Sequence, residues 1–334
     1  MRETEHRSAS HRDCFETGSL QVDPDKVAIL EAPYGDFRKR MNSTNRLRAL
    51  AGMVEHQFRP YYFLNPPRWR IALRAMNHKS RMKASFVSIG AVRSGTSLLS
   101  SYILQHPHVA PPLAKELVQF PQLKYMEAQL PSRREQLRLE RRYGGATTGY
   151  FTPIAPDLLS IFLMKALCQD GCVVVILRDP IDRAFSQWRW DRMRNSRILS
   201  DPLWRFVPDF ETLAKIEREA ICSGGSGPSS LSGNRVGYLQ QSIYLPFLRL
   251  LFDGFPRDRV FIVDAAQMFR DPARLAKDVY AFLGLPYFEP MLIRERNSAP
   301  EAAMSERLRS ELSEFFRPYN EALYEFLGID FGWE

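Results

Sequence analysis

The sequence predicts an α/β fold of three layers, a central mainly parallel sheet flanked by helices. Three stretches carry that prediction. Residues 86–89 are a short apolar run that passes through a small, turn-prone segment, 90–95, into helical periodicity from Thr96. Cys172–Leu177 (CVVVIL) is nearly all apolar and β-branched, the composition of a strand buried on both faces. Residues 259–264 (RVFIVD) repeat the pattern, with helical text on either side. Strands that alternate with helices in this way pair in parallel.

The first stretch, FVSIGAVRSGTSLLSSYILQH over residues 86–106, reads as strand, loop and helix and is P-loop-like in composition. Such a loop turns backbone N–H groups toward one point at a helix N-terminus, where the partial positive dipole favours an anion. Arg93 adds a full charge, and Gly95 lets the main chain approach a phosphate closely. Ser94, Thr96 and Ser97 supply hydroxyl donors. The G-x-x-x-x-G-K-[ST] spacing of nucleoside triphosphatases is only half kept: Gly90 and Gly95 match, but Ser97 follows Thr96 where that motif has lysine. The same text also fits an ordinary α/β crossover with a small-residue turn.

Before this loop the chain is polar, then basic. Residues 1–36 lack periodicity and read as a poorly ordered arm. Residues 37–84 hold twelve Lys and Arg against the single acid Glu55, more than the whole formal excess of +8. Broken at Pro60 and at Pro66 and Pro67, they read as a basic helical extension packed on the main domain. Their aromatics, among them Phe58, Tyr61 and Trp69, also suit binding to an anionic surface. Residues 85–334 form the main domain.

No apolar run approaches the ~20 residues that cross a bilayer, and the N-terminus is too polar for a signal peptide. Cys14, Cys168, Cys172 and Cys222 lack metal-ligand spacing and sit badly for a disulfide framework. A cytoplasmic protein is the expectation, with no metal and no nucleic-acid partner. The oligomeric state is left open.

Beyond the loop helix, residues 106–110 read as a second short strand or a turn, and 121–143 as charged helix. Residues 149–153 (GYFTP) are a strand ending in a turn, and a helix runs from about Asp157 to Cys168. The buried strand Cys172–Leu177 ends in Arg178-Asp179-Pro180, which delivers an arginine to the carboxyl edge of the sheet, where ligands of open α/β sheets bind. The helix after it holds Arg183, Ser186, Trp188 and Trp190. Residues 222–234 are a Gly/Ser-rich loop, 237–252 an amphipathic helix, 272–283 a helix stopped by Gly284, and 306–327 a closing amphipathic helix or pair.

In this order the motifs resemble those of the PAPS-dependent sulfotransferases, in the branch of heparan sulfate sulfotransferases and related bacterial enzymes. The resemblance runs from Phe86 to Glu334. VRSGTS at 92–97 is similar to the family's 5′-phosphosulfate loop, and RDPIDRAFS at 178–186 to its 3′-phosphate motif, an arginine ending a strand and a serine one helical stretch later. KELVQF at 115–120 is similar to its K-E-x-x-x-F segment, Gly237-Tyr238 to its G-x-Y helix start, and FFRPYNEALYEFLGIDFGWE to its C-terminal end. Two departures are visible: Arg93 stands where the heparan branch usually has lysine, and its E-K-T-P segment is Tyr150-Phe151-Thr152-Pro153 here.

The resemblance implies in-line transfer of a sulfuryl group from PAPS to an acceptor hydroxyl or amine. It implies PAPS binding by Arg93, Ser94, Gly95, Thr96, Ser97, Arg178 and Ser186, with Arg294 and Arg296 in a late basic loop. Glu116 is the expected base and Arg93 the expected catalytic cation, with His106 and His108 as rivals for the proton. The expected acceptor is a saccharide or small natural product. Two other classes remain open from the residues alone. One is a magnesium-dependent nucleotide kinase or triphosphatase; the other is a non-catalytic binder of nucleic acid or an anionic surface through residues 37–84.

Overall fold

The computed structural model describes residues 66–117, 122–153, 158–195, 209–224, 237–292 and 303–333. Four strands, β1 (Phe86–Gly90), β2 (Gly149–Pro153), β3 (Cys172–Leu177) and β4 (Val260–Asp264), form one sheet in the order β2-β1-β3-β4, and every neighbouring pair is parallel. The chain therefore leaves β1 toward β2, then crosses back to place β3 on the other side of β1. The loops after β1 and β3 diverge, and a crevice opens between them at the carboxyl edge.

Alternation along the strands sorts the core into two layers. Val87, Ile89, Val173, Val175 and Leu177 face one side, where α5 (Leu158–Leu167), α8 (Leu245–Gly254) and the end of α11 (Glu306–Leu327) supply Ile161, Leu248, Leu251 and Leu323. Phe86, Val174, Ile176 and Val263 face the other, against α2 (Thr96–Gln105), α9 (Ala265–Arg270) and α10 (Pro272–Phe282). A third cluster, around Ile181, Trp188, Leu239, Leu312 and Phe316, ties α6 (Pro180–Asn195) and α7 (Phe210–Cys222) to α11. The three-layer expectation holds.

Local chemistry sets the helix limits. Asp264 closes β4 and caps α9 by accepting from the Ala266 and Gln267 amides, while Asp271 caps α10 just before Pro272. Ser305 caps α11, and Gly328 ends it at φ +69°. Residues 122–143 are two helices rather than one, α3 (Leu123–Glu127) and α4 (Arg133–Tyr143). Pro131 separates them, and Ser132 accepts from the Glu135 amide to start the second. Residues 106–110 are a turn with a single bridge between Val109 and Thr147, not a strand.

The helix expected over 237–252 begins later. Gly237 approaches Glu217 so closely that an added Cβ would lie 2.5 Å from its Cδ. The buried Glu217 carboxylate accepts from the amides of Tyr238 and Leu239 at 2.6 and 2.5 Å. Those amides serve the carboxylate, so the segment turns, forms a single 3₁₀ turn at Gln240–Ser242, and only then enters α8.

Of the basic extension, α1 (Arg68–Ala75) is described. Ile71 and Ala75 pack against Leu113, Ala114 and Ala128, and Arg74 donates to the Ala128 and Leu130 carbonyls at 2.7 Å each. The arm over 1–36, residues 37–65, and most of the loop over 222–234 lie outside the described residues.

Candidate active site

The turn between β1 and α2 is shaped by close packing and by two left-handed residues. A Cβ on Gly90 would lie 2.4 Å from Ile176 Cγ2 of the neighbouring strand, so only glycine fits. Arg93 has φ +72° and Gly95 φ +93°; Gly95 is the N-cap of α2 and offers no side chain to its first amides. Helix N-termini left open in this way accept anionic oxygens. Ser94 is fully buried, and its Oγ has no hydrogen-bond partner among the described residues.

From this turn Arg93 reaches across the crevice to α6. Its Nε donates to Ser186 Oγ at 3.4 Å, and its guanidinium lies 4.6 Å from the Trp190 ring centroid, a cation–π contact. Arg178, at the end of β3, donates from Nη1 to the Arg93 carbonyl at 3.1 Å and lies over Phe269 of α9 at 5.7 Å. The Arg178 carbonyl is in turn held by Tyr244 Oη at 2.7 Å. Arg93, Arg178 and Ser186, more than ninety positions apart at the extremes, thus meet at one point at the carboxyl edge.

One residue binds these parts together more than the sequence suggested. Arg183 of α6 is completely buried. Its Nε donates to Ser242 Oγ at 2.6 Å and its Nη1 to Gln187 Oε1 at 2.6 Å and the Val92 carbonyl at 3.4 Å, and Nη2 donates to the Tyr238 carbonyl. Burial works against its charge, and nearby Glu217 and Asp191 offset part of that cost. In the sequence Arg183 stands within the RDPIDRAFS motif, but no role was read for it there.

On the opposite side of the turn stands Glu116, with a side chain about one third exposed. Its neighbour Lys115 is buried and donates to Ser97 Oγ at 3.1 Å, Thr96 Oγ1 at 3.5 Å and Glu116 Oε1 at 3.2 Å. Thr96 and Ser97 therefore lie on the Glu116 side of α2. The main chain here is pinned to β2 by the Leu117 amide, which donates to the Phe151 carbonyl at 3.1 Å.

The two histidines are committed elsewhere. His106 is fully buried among Tyr280, Phe288 and His108. Its Nδ1 accepts from the His108 amide at 3.1 Å, so Nε2 carries the proton and donates to the Pro286 carbonyl at 3.0 Å. His108 Nε2 donates to the Tyr143 carbonyl at 2.7 Å. Neither is placed to take a proton in the crevice. Arg294 and Arg296 lie outside the described residues. Beneath the loop a small cavity is lined by Gly90, Ala91, Val92, Gln241, Ile243 and Tyr244.

With this geometry in view, comparison with known proteins is informative. No protein-family model matches the sequence. The chain is similar to heparan sulfate glucosamine 3-O-sulfotransferase 3A1 of Mus musculus, 25% identical over 289 residues covering 78% of this chain. It is also similar to the membrane-associated sulfotransferase kil1 of Dictyostelium discoideum, 21% identical over 320 residues covering 75%. The chain spans 66% of the length of each of these relatives. Among solved structures, the sulfotransferase from Alicyclobacillus acidocaldarius superposes with a TM-score of 0.52 at 25% identity, over 75% of this chain and 97% of that one.

These relatives correct the expectation of a cytoplasmic location: they point away from it, one of them being membrane-associated by name. The expectation rested on a polar N-terminus and the lack of a long apolar run. Among the described residues, no helix is long and apolar enough to cross a membrane. By sequence the chain is a homologue of the heparan sulfate 3-O-sulfotransferases, and by structure it has the fold of the bacterial sulfotransferases.

Proposed function

We propose that this protein transfers a sulfuryl group from PAPS to a hydroxyl of a saccharide, with an amine as the other acceptor its chemistry allows. The observation that carries the reading is the meeting of the β1 turn with the end of β3, through Arg93, Ser186 and Arg178. Two anion-binding elements side by side suit a ligand with a charged group at each end of one nucleoside. The open N-terminus of α2, the orphan hydroxyl of Ser94 and the close approach allowed at Gly90 and Gly95 fit the 5′ end of such a donor. Arg178 and Ser186 fit its 3′-phosphate.

When bound, PAPS supplies the sulfuryl group, whose in-line transfer to the acceptor oxygen leaves adenosine 3′,5′-bisphosphate. Arg93 and the first turn of α2 would stabilise charge that grows on the 5′ side. Glu116, on the far side of Thr96 and Ser97, would take the acceptor proton. Positioning and charge stabilisation then supply most of the rate, as in phosphoryl transfer. A saccharide acceptor is favoured over a small natural product because the relatives act on heparan sulfate glucosamine.

Calorimetric titration with adenosine 3′,5′-bisphosphate, alongside ATP with magnesium, tests this. Micromolar or tighter binding of the bisphosphate without metal, weakened at least about a hundredfold by Arg178→Ala through loss of a charge-assisted phosphate contact, is expected. Binding of magnesium ATP alone would transfer the site to nucleotide kinase chemistry.

A further inference from the structure

Lys115 is 2% exposed. Among the described residues it donates to Ser97 Oγ, Thr96 Oγ1 and Glu116 Oε1, which belong to the two halves of the crevice. A hydroxyl oxygen that accepts from an ammonium must turn its own proton elsewhere. Thr96 and Ser97 are thereby held as donors directed away from Lys115. At Glu116 the ammonium engages Oε1, which leaves Oε2 as the oxygen available to an acceptor proton. Taking a lysine out of water is costly, and a position that served packing alone would be filled more cheaply by methionine or leucine.

We propose that Lys115 is the positioning residue of this site, aiming the Thr96 and Ser97 hydroxyls at the 5′ anion while it holds one oxygen of Glu116. The proposal rests on the sulfuryl-transfer reading and deepens it. The base and the donor loop are set against each other by one side chain, with no direct contact needed between Lys115 and either substrate. The charged groups that face Lys115 are Glu116 from its own segment and Arg93 from the β1 turn. Burial is the main influence that lowers its pKa; Glu116 opposes it and Arg93 adds to it.

The test is calorimetry on the full chain with two probes, adenosine 3′,5′-bisphosphate and adenosine 3′-monophosphate, which lacks the 5′ group. Lys115→Met is expected to weaken the bisphosphate about tenfold, less than the loss of a direct charge-assisted phosphate contact because Lys115 acts through the hydroxyls, and to leave the 3′-monophosphate within about twofold. Lys115→Arg is expected to restore most of the loss. In a Thr96→Val/Ser97→Ala background, Lys115→Met should add nothing further, because the hydroxyls it acts through are gone.

A pH series adds a readout that packing does not move. The bisphosphate affinity of the parent protein should fall at a pH below the ordinary lysine value of about 10.4, because burial lowers the Lys115 pKa, while that of Lys115→Arg stays level. Equal weakening of both probes, or of neither, overturns the proposal. Should Lys115→Met fail to fold, the pH series of parent and Lys115→Arg decides, and coincident curves overturn it. A parent protein that binds neither probe sinks the sulfuryl-transfer reading itself, a result distinct from all of these.

Discussion

In the reaction proposed above, Glu116 is the side chain on which the chemistry turns. It is the acid beside the donor loop that keeps contact with solvent, whereas Glu217 is buried and spent on the amides of Tyr238 and Leu239. Glu116→Gln keeps the size and the hydrogen-bonding reach of the side chain but cannot accept a proton. The proposed transfer from PAPS to a saccharide acceptor should drop by about 10²–10⁴-fold, the usual contribution of a general base, with the bisphosphate dissociation constant unchanged by calorimetry. A parallel loss of bisphosphate affinity would mean that Glu116 shapes the donor loop instead. The same comparison separates it from His106 and His108, whose ring nitrogens are occupied by the Pro286 and Tyr143 carbonyls.

Among the helices, α6 does more than supply Ser186. Through Arg183 it holds the β1 turn at the Val92 carbonyl and the segment before α8 at Ser242 and Tyr238. Arg183→Met would fill much of the volume yet remove the buried guanidinium hydrogen bonds to Ser242, Gln187, Val92 and Tyr238. A loss of about 2–4 kcal/mol of stability is expected in urea unfolding, because stranded buried polar groups cost about 1–3 kcal/mol each and neighbours relax in part. A loss below 1 kcal/mol would show that water replaces the guanidinium.

The helices also show where sequence patterns inform and where they stop. The strand cores were legible because CVVVIL and RVFIVD have strand composition, α10 because it begins at Pro272 and is stopped by Gly284, and α11 because of its amphipathic period. The late start of α8 was not legible. It follows from a tertiary contact, Glu217 with the 238–239 amides, and no local pattern encodes that. Arg93, Arg178 and Ser186 were chosen by motif, but their meeting is a product of strand order. Trp190 and Phe269, which lie against the two arginines, come from elements whose packing only the fold reveals.

Taken whole, the protein separates its cysteines by environment. Cys222 is exposed near the end of α7, whereas Cys168 is buried beneath the sheet, donates to the Ala84 carbonyl at 3.3 Å, and has its pKa pushed up to about 12, chiefly by burial. Cys14 lies outside the described residues. Iodoacetamide at pH 8 should alkylate Cys222 quickly and Cys168 only as the protein unfolds, since the thiolate is the reacting species. Mass spectrometry of the labelled peptides checks this; rapid labelling of Cys168 would mean that the α5 face opens on its own.

The segment after α11 also matters to the crevice at the carboxyl edge of the sheet. Trp333 stacks on Phe331 at 4.5 Å and packs edge-on against Tyr244 at 5.8 Å, and Tyr244 is the residue whose hydroxyl holds the Arg178 carbonyl at 2.7 Å. The last aromatic of the described chain is therefore two contacts from the arginine assigned to the 3′-phosphate. In practical terms, a truncation just past Leu327, or an affinity tag fused directly there, would remove Phe331 and Trp333 from the core, loosen Tyr244 and degrade ligand affinity. Assays of donor binding are better run on protein in which residues 328–334 are left unaltered.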